Sequence, residues 1–220
     1  MAAGLGRPLR IVQIGANDGE SGDPLVDYLS RYGDTQALLI EPHPIAFDLL
    51  QRQYETNDSI FLARCAVGDP KKRLFALDEA FRAEYLDRWG QSPDIICSSN
   101  PDHVTSRVSR RLDVTIDEAR KMIVELDVEF ETLVSVLDST GFGAEFDVLQ
   151  VDVEGFDHEV IQSIDLLRHK IRLVSFERHV LGEDDYQELK HYLHANSFAC
   201  YGDGPNEYAI KRIAGEMNNQ

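Results

Sequence analysis

Two apolar runs in the C-terminal half of the chain end in acidic residues, and one of them also ends in a histidine. Asp152 follows the run at 146–151, and Glu177 follows the run at 171–176, with His179 two positions later. Alternate residues of an extended chain point to one side, so Glu177 and His179 share a side if the strand continues that far. In a parallel sheet the carboxyl ends of the strands meet at one edge, where these three side chains can act together.

A histidine beside carboxylates can serve two kinds of chemistry. His179 is the candidate general base because the ordinary pKa of histidine lies near neutral pH, and Asp152 or Glu177 can orient it. The same three side chains can instead bind a divalent cation such as Mg²⁺, which lowers the pKa of a bound hydroxyl. A third interpretation is an exposed histidine at a strand end with no catalytic role. The sequence leaves these alternatives open and does not identify a metal.

A loop with two glycines follows the first apolar run, at 9–14. It consists of Gly15, Ala16, Asn17, Asp18 and Gly19, and glycines at such a position let the backbone approach a ligand closely. The loop lacks the G-x-G-x-x-G spacing that fits a pyrophosphate, and its acidic residues disfavour a phosphate. A positively charged nucleoside without phosphate suits it better. S-adenosylmethionine has these properties, through its sulfonium and α-amino groups.

Glu41 ends the second apolar run, at 37–40. A carboxylate at the end of a second strand can accept hydrogen bonds from both ribose hydroxyls of a bound nucleoside. Together with the glycine loop, Glu41 therefore predicts a nucleoside site. The alternative is a tight turn followed by a solvated acid at a strand end.

Apolar runs alternate with amphipathic segments along most of the chain, which predicts βαβ units and a mostly parallel sheet. We expect a third strand over 59–67, a half-exposed strand over 124–130 and a C-terminal hairpin around the GDGPNE turn at 202–207. Residues 92–106 have the composition of a loop. The prediction is a single α/β domain over 1–220, with an insertion at about 70–130 over the ligand site.

Composition and charge exclude several classes of protein. The chain has 22 Lys and Arg against 39 Asp and Glu, a formal net charge of −17, which disfavours nucleic-acid and anionic-membrane partners. Cys65, Cys97 and Cys200 form no C-x-x-C pair, so we expect reduced thiols. The N-terminus lacks the apolar core of a signal peptide, and no apolar run is long enough to cross a bilayer. We therefore expect a cytoplasmic protein; its oligomeric state stays open.

Five segments together resemble one family. IVQIGANDG, LLIEPHP, ARCAVGD, LQVDVEGFDHEVI and LVSFERH occur in this order and are similar to the FkbM family of S-adenosylmethionine-dependent methyltransferases. The D-x-E-G segment at Asp152, followed by Asp157, is the most specific part. The resemblance implies the class I methyltransferase fold, a Rossmann-like three-layer sandwich with a seven-stranded, mostly parallel sheet and a C-terminal antiparallel hairpin.

The resemblance also implies a donor site and a type of acceptor. Its expected donor-binding residues are Gly15, Ala16, Asn17, Asp18, Gly19, Glu41 at the ribose, Pro42, Ala66, Ser98 of a serine pair with Ser99, and Asp152 near the methionine end. Family members commonly O-methylate sugars, polyketides and other natural products, so we expect a small hydroxyl-bearing acceptor. Residues 77–123 depart from the family pattern in length and charge, and the acceptor is therefore not transferable. Tyr85, Trp89 and His103 are candidates for the acceptor pocket.

Two other functions are compatible with the same sheet. A nicotinamide- or flavin-dependent oxidoreductase is disfavoured by the missing third glycine and by the acidic loop. A non-catalytic nucleoside-binding module is compatible with the fold, although the presence of Asp152, Glu177 and His179 favours an enzyme.

Overall fold

The computed structural model describes residues 6–20, 23, 25–89 and 97–212 of the chain. Its strands are β1 (Arg10–Ile14), β2 (Gln36–Ile40), β3 (Ile60–Ala63), β4 (Ala66–Val67), β5 (Leu74–Leu77), β6 (Cys97–Ser98), β7 (Ile123–Leu126), β8 (Phe130–Glu131), β9 (Val148–Val151), β10 (Leu173–Glu177), β11 (Phe198–Asp203) and β12 (Asn206–Lys211). Its α-helices are α1 (Val26–Arg31), α2 (Pro44–Gln53), α3 (Arg82–Trp89), α4 (Pro101–Leu112), α5 (Ile116–Arg120), α6 (Leu133–Thr140), α7 (Asp157–Gln162) and α8 (Glu183–Ala195). Within the described ranges, no helix has the length and apolar content needed to cross a membrane.

Seven strands form the main sheet, in the order β3-β2-β1-β9-β10-β12-β11. Strands β3, β2, β1, β9 and β10 pair in parallel, while β12 runs antiparallel between β10 and β11. The predicted α/β fold, with its mostly parallel seven-stranded sheet and C-terminal antiparallel hairpin, is confirmed. The strand order reverses beside β1, where the chain continues to β2 on one side and returns to β9 on the other. Ligands of such sheets bind at this switch point, beyond the carboxyl ends of the strands.

Helices cover both faces of the sheet and make it a three-layer sandwich. Consecutive residues of β1, Ile11 and Val12, belong to different hydrophobic cores, because alternate side chains of a strand point to opposite faces. The Ile11 core includes Leu29 of α1 and Leu50 of α2. The Val12 core includes residues of α6, α7 and α8. Burial on both faces explains why the central strands are nearly continuous apolar runs.

The predicted third strand over 59–67 and the predicted strand over 124–130 are each divided in the structure. The first consists of β3 in the main sheet and β4 outside it, and the second consists of β7 and β8. Strand β4 pairs in parallel with β8, and the backbone N–H of Ala66 donates to the carbonyl of Glu129 at 2.8 Å. Pairing with β8 therefore takes the chain out of the main sheet after Ala63.

The region between β5 and β7 has its own small sheet and its own core. Strands β6, β5 and β7 form a three-stranded antiparallel sheet. Tyr85 of α3, Val104 and Val108 of α4 and Ala119 of α5 are fully buried together. These residues lie within the predicted insertion at about 70–130, of which residues 90–96 lie outside the described ranges.

The prediction of a loop over residues 92–106 is wrong for the part that belongs to α4. Of these residues, 97–106 are described, and the helix begins at Pro101. Asn100 caps it, since its side-chain oxygen accepts a hydrogen bond from the backbone N–H of Asp102 at 3.0 Å. Proline in the first helical turn lacks only an N–H that would have no helical partner there. The residues that suggested a turn are thus the residues that begin a helix.

Candidate functional site

A cavity of about 370 Å³ lies at the carboxyl edge of the main sheet. Its walls include the chain after β1, the start of the segment after β2, the β4 region and the chain after β9. Leu74, Cys97 and Ser99 of the insertion also line it, as do Phe156 and Val160 at the start of α7. The insertion and α7 therefore enclose the strand ends, and the volume is typical of a small-molecule site.

Gly15 brings the loop after β1 against the chain after β9. Its φ is +85°, and a Cβ atom placed on it would lie 1.8 Å from the carbonyl oxygen of Asp152. The backbone N–H of Asp152 donates to the carbonyl of Ile14 at 2.9 Å, and that of Gly15 donates to the carbonyl of Ile40 at 2.9 Å. Only glycine fits this position, because any side chain would collide with backbone atoms that cannot rotate away.

Glu41 places a fixed carboxylate in the cavity. Its Oε2 atom accepts a hydrogen bond from the backbone N–H of Asn17 at 2.8 Å, and its Oε1 atom accepts one from the backbone N–H of His43 at 2.7 Å. The residue is 3% exposed and still lines the cavity. Each carboxylate oxygen has a second lone pair, so Glu41 can accept further hydrogen bonds from a pair of hydroxyls.

Of the remaining residues of the glycine loop, two line the cavity and two do not. Ala16 and Asn17 line the cavity, with Asn17 in the left-handed conformation at φ +50°. Asp18 and Gly19 are not among its described lining residues. A Cβ atom on Gly19 would lie 2.5 Å from the Leu50 side chain, so this glycine permits close packing against α2. Asp18 accepts a hydrogen bond from the backbone N–H of Glu20.

The other predicted donor-site residues also differ in position. Pro42 and Ala66 line the cavity. Ser98 is buried and does not line it; its hydroxyl donates to the carbonyl of Glu154 at 3.1 Å, and Ser99 is the member of the pair that lines the cavity. For direct contact with a ligand, the geometry therefore favours Ser99 over Ser98.

Asp152 lines the cavity and its side chain is open to it. The surrounding protein raises the pKa of its carboxyl to about 6, mainly through desolvation and further through the negative charge of Glu154, while Arg107 opposes the rise. Water in the cavity moderates this effect, because solvent screens an accessible charge. A cationic ligand beside Asp152 would lower the pKa again and favour the carboxylate.

Asp157 and Glu177 lie behind Asp152 and form an acidic cluster with it. Asp157 is fully buried, and its carboxylate accepts hydrogen bonds from the backbone N–H groups of Glu177 and Val153. Desolvation, with the charge of Asp152, raises the pKa of Asp157 to about 7. Desolvation likewise raises the pKa of Glu177 to about 8, with additions from the negative charges of Asp152, Glu154 and Asp157. The cluster is therefore poised to bind positive charge.

His179 lies at the edge of this cluster, beside Glu177, and is not among the described residues that line the cavity. Its Nδ1 atom is 3.2 Å from Oε1 of Glu177, and its side chain is 57% exposed. Asp152, Glu177 and His179 do not form a metal site: in the part of the chain that the structure describes, no group of three or more His, Cys, Asp or Glu side chains could hold an ion. The divalent-cation alternative thus has no support in the geometry.

The candidate acceptor residues lie in the predicted insertion at about 70–130. Tyr85 is fully buried in the core of the insertion, where its hydroxyl accepts a hydrogen bond from Arg111. His103 lies in α4, with Nε2 3.4 Å from a carboxylate oxygen of Glu154. The side chain of Trp89 lies outside what the structure describes. Neither Tyr85 nor His103 lines the described cavity.

Two basic residues near the cavity were not identified from the sequence. Lys72 lines the cavity, forms an ion pair with Glu159 and lies over the Phe156 ring at 4.0 Å. Arg107 of α4 forms an ion pair with Glu154. Each pair joins segments far apart in sequence, and no local motif marks either of them. The four-residue spacing of Val104, Val108 and Leu112, which is typical of the buried face of a helix, was the available signal for the helix that carries Arg107.

This arrangement is suited to a phosphate-free, positively charged nucleoside. Glu41 offers fixed acceptors for hydroxyls, while Gly15 brings the loop after β1 and the chain at Asp152 together in one wall of the cavity. The described residues that line the cavity include six carboxylates and one basic residue, Lys72, and this excess of negative charge disfavours a pyrophosphate. The residues present therefore fit S-adenosylmethionine.

Known proteins show the same fold. Among solved structures, the methyltransferase FkbM from Methylobacillus flagellatus KT is similar at a TM-score of 0.54 and 15% identity, over 92% of this chain and 43% of that one. The METTL16 MTase domain is similar at a TM-score of 0.50 and 12% identity, over 95% of this chain and 61% of that one. The chain thus spans only part of the length of either protein. A comparison with curated proteins gave no significant match.

The family follows from the sequence match. A model of the methyltransferase FkbM domain matches residues 13–200. This range includes the glycine loop, Glu41 and the acidic cluster after β9. The chain belongs to the FkbM family of methyltransferases, which use S-adenosylmethionine as the methyl donor.

Proposed function

We propose that the chain binds S-adenosylmethionine in the cavity at the carboxyl edge of β1, β2 and β9 and transfers the methyl group to a hydroxyl of a small molecule. The observation that carries the proposal is the Glu41 carboxylate, which two backbone N–H groups hold in place inside the cavity. A carboxylate fixed in this way binds a ribose without an entropic cost of ordering its own side chain.

The donor site extends from Glu41 to Asp152. Glu41 accepts the ribose hydroxyls, and Pro42 and Ala66 lie beside it on the cavity wall. Gly15 holds the loop after β1 against the backbone of Asp152, and the Asp152 carboxylate complements the positive charge of the methionine part. When bound, the donor supplies a methyl group on a positively charged sulfur. The role of the chain is to align this carbon with the acceptor and to exclude water.

The acceptor hydroxyl must lose its proton as its oxygen forms the new bond to carbon. The carbon–sulfur bond breaks with its electron pair remaining on sulfur, and the proton passes to a base of the chain. Asp152 is the candidate base because it is the member of the acidic cluster that lines the cavity, and His179 is the alternative base beside Glu177. His179 can take this role only with its side chain turned towards the cavity.

Calorimetry with S-adenosylhomocysteine tests the donor site. Glu41→Gln replaces one acceptor oxygen with an NH₂ group that faces a backbone N–H, so we expect affinity to fall about 10- to 100-fold. Glu188→Gln, at an exposed position of α8, is the matched control and should bind as the wild type does. A chelator should not change the affinity. If the wild type does not bind, the proposed function is wrong.

A transfer assay with a radiolabelled methyl group tests the acceptor class. Purified chain is incubated with labelled donor and a panel of sugars, phenols and aliphatic alcohols, with structured RNA as a comparison. The net charge of −17 favours the small hydroxyl compounds. Labelling of RNA but of no small hydroxyl compound would overturn this part of the proposal.

A further inference from the structure

Helix α4 and strand β6 both contact Glu154, in the chain after β9. Ser98 donates a hydrogen bond to its carbonyl oxygen at 3.1 Å. Arg107 forms an ion pair with its Oε2 atom, and His103 Nε2 lies 3.4 Å from the same oxygen. The side chains of these two pairs are largely buried. Their exposed fractions are 21% for Arg107, 25% for His103 and 16% for Glu154. The insertion therefore holds both the backbone and the side chain of Glu154.

Glu154 is a residue whose backbone needs such support. Its φ is +53°, in the left-handed region that residues other than glycine seldom adopt, and Gly155 continues the turn at φ +99°. A conformation of this kind persists where surrounding contacts determine it. Asp152 lies only two residues earlier, so the position of Glu154 also determines the cavity wall that Asp152 forms.

Arg107 also supplies positive charge to the acidic cluster. Its charge lowers the pKa of Asp152 and of Glu177 against the opposing effects of burial and of neighbouring carboxylates. The titratable and charged groups around this ion pair come from six segments of the chain. They are Asp23 before α1, Tyr85 of α3, His103 and Arg111 of α4, Asp152 and Glu154 after β9, Asp157 of α7, and Glu177 and His179 at the end of β10.

We propose that Arg107 is a positioning residue of the donor site: its ion pair fixes the left-handed turn at Glu154, and its positive charge lies beside the carboxylates that receive a positively charged donor. The insertion is then a functional part of the donor site and not only a cover over the acceptor. The inference rests on the proposed function, because it assigns Asp152 to the donor.

The expected signature is a shift in the pH dependence of binding. A cationic donor is favoured by ionised carboxylates, so binding weakens as the pH falls through their pKa. Without Arg107 the pKa of Asp152 and of Glu177 rises, and binding is lost at a higher pH. A charge a few ångströms away in a partly buried site changes a pKa by about one unit, so the midpoint should move up by about one pH unit.

The experiment measures S-adenosylmethionine and S-adenosylhomocysteine affinity by calorimetry from pH 5.5 to 9. Arg107→Met retains the aliphatic part of the side chain and should show the upward shift, whereas Arg107→Lys retains the charge and should stay near the wild-type midpoint. Arg110→Met is the matched control, because Arg110 lies on the same helix at an exposed position. The double variant Arg107→Met, Glu154→Gln removes one charge of each sign and should return the midpoint towards the wild-type value.

Each outcome decides the inference. A wild type that binds and an Arg107→Met variant with an unchanged midpoint overturn it while leaving the proposed function intact. Equal loss of binding at every pH in Arg107→Met and Arg107→Lys would show a purely structural role and would also overturn it. Failure of the wild type to bind either compound overturns the proposed function and the inference together.

Discussion

Gly15→Ala is the substitution whose effect follows most directly from the structure. The added Cβ atom would lie 1.8 Å from the carbonyl oxygen and 2.9 Å from the carbonyl carbon of Asp152. Neither atom can rotate away, so the loop after β1 and the chain after β9 must separate. The hydrogen bonds from Gly15 to Ile40 and from Asp152 to Ile14, each 2.9 Å long, lie at this approach. The substitution therefore alters the wall of the cavity as well as the stability of the chain.

The magnitude has two parts. Placing alanine at φ +85° costs about 1–2 kcal/mol, and each lost hydrogen bond costs about 1 kcal/mol, so the free energy of unfolding should fall by about 3–4 kcal/mol. For a chain of this length that corresponds to a Tm lower by roughly 10 °C. Affinity for S-adenosylhomocysteine should fall by about 100-fold or more, as expected when a close backbone approach is lost.

Gly141→Ala is the matched control for this substitution. Gly141 ends α6 at φ +69° and has no atom within 4 Å of the position of an added Cβ. The control therefore has the backbone cost of about 1–2 kcal/mol without the collision, and S-adenosylhomocysteine should bind normally. Thermal melts and calorimetry on both variants separate the two effects. Equal stability losses, together with normal ligand binding by Gly15→Ala, would refute the reasoning.

Other consequences of the site can be measured with the same methods. Burial raises the pKa of Asp157 to about 7, whereas an Asp in the unfolded chain releases its proton near pH 4. The folded chain therefore holds a proton that the unfolded chain has lost, and the free energy of unfolding falls as the pH rises from about 4 to 7. Asp157→Asn should therefore make the urea-derived free energy of unfolding less dependent on pH between 5 and 8; an unchanged slope would contradict the assignment. His179→Asn should leave S-adenosylhomocysteine affinity unchanged, because His179 is exposed and does not line the cavity, and a large loss would place it in the donor site. Ser98→Ala removes the hydrogen bond to Glu154 and should lower the Tm by about 2–4 °C, whereas Ser99→Ala should not.

The sheet and the first half of the site could be predicted because local signals determine them. Runs such as 9–14 and 37–40 are apolar because both faces of each central strand are buried, and the residue after each run lies at the edge of the sheet. Gly15, Glu41 and Asp152 all follow such runs, and all three line the cavity. A glycine at a strand end and an acid at the next strand end are visible in the sequence without knowledge of distant contacts.

The division of residues 59–67 into β3 and β4 could not be predicted in the same way. The whole segment is apolar enough for one strand, and its break after Ala63 depends on pairing between β4 and β8, more than 60 positions later. The separate roles of Ser98 and Ser99 depend likewise on Glu154. Ser98 and Ser99 have the same side chain, and only the structure shows which of them faces the cavity.

Helix α4 shows why the insertion was the least predictable part of the chain and why it matters for function. Asn100 and Pro101 favour a turn and a helix start equally, and the decision comes from packing of Val104 and Val108 into a core formed largely by the insertion itself. Once formed, this helix brings Arg107 to Glu154, a contact across 47 positions of sequence. The charge balance of the acidic cluster therefore depends on a contact between distant segments that no local sequence signal reveals. A change in α4 that removes this positive charge should therefore alter the range of pH over which the chain binds the donor.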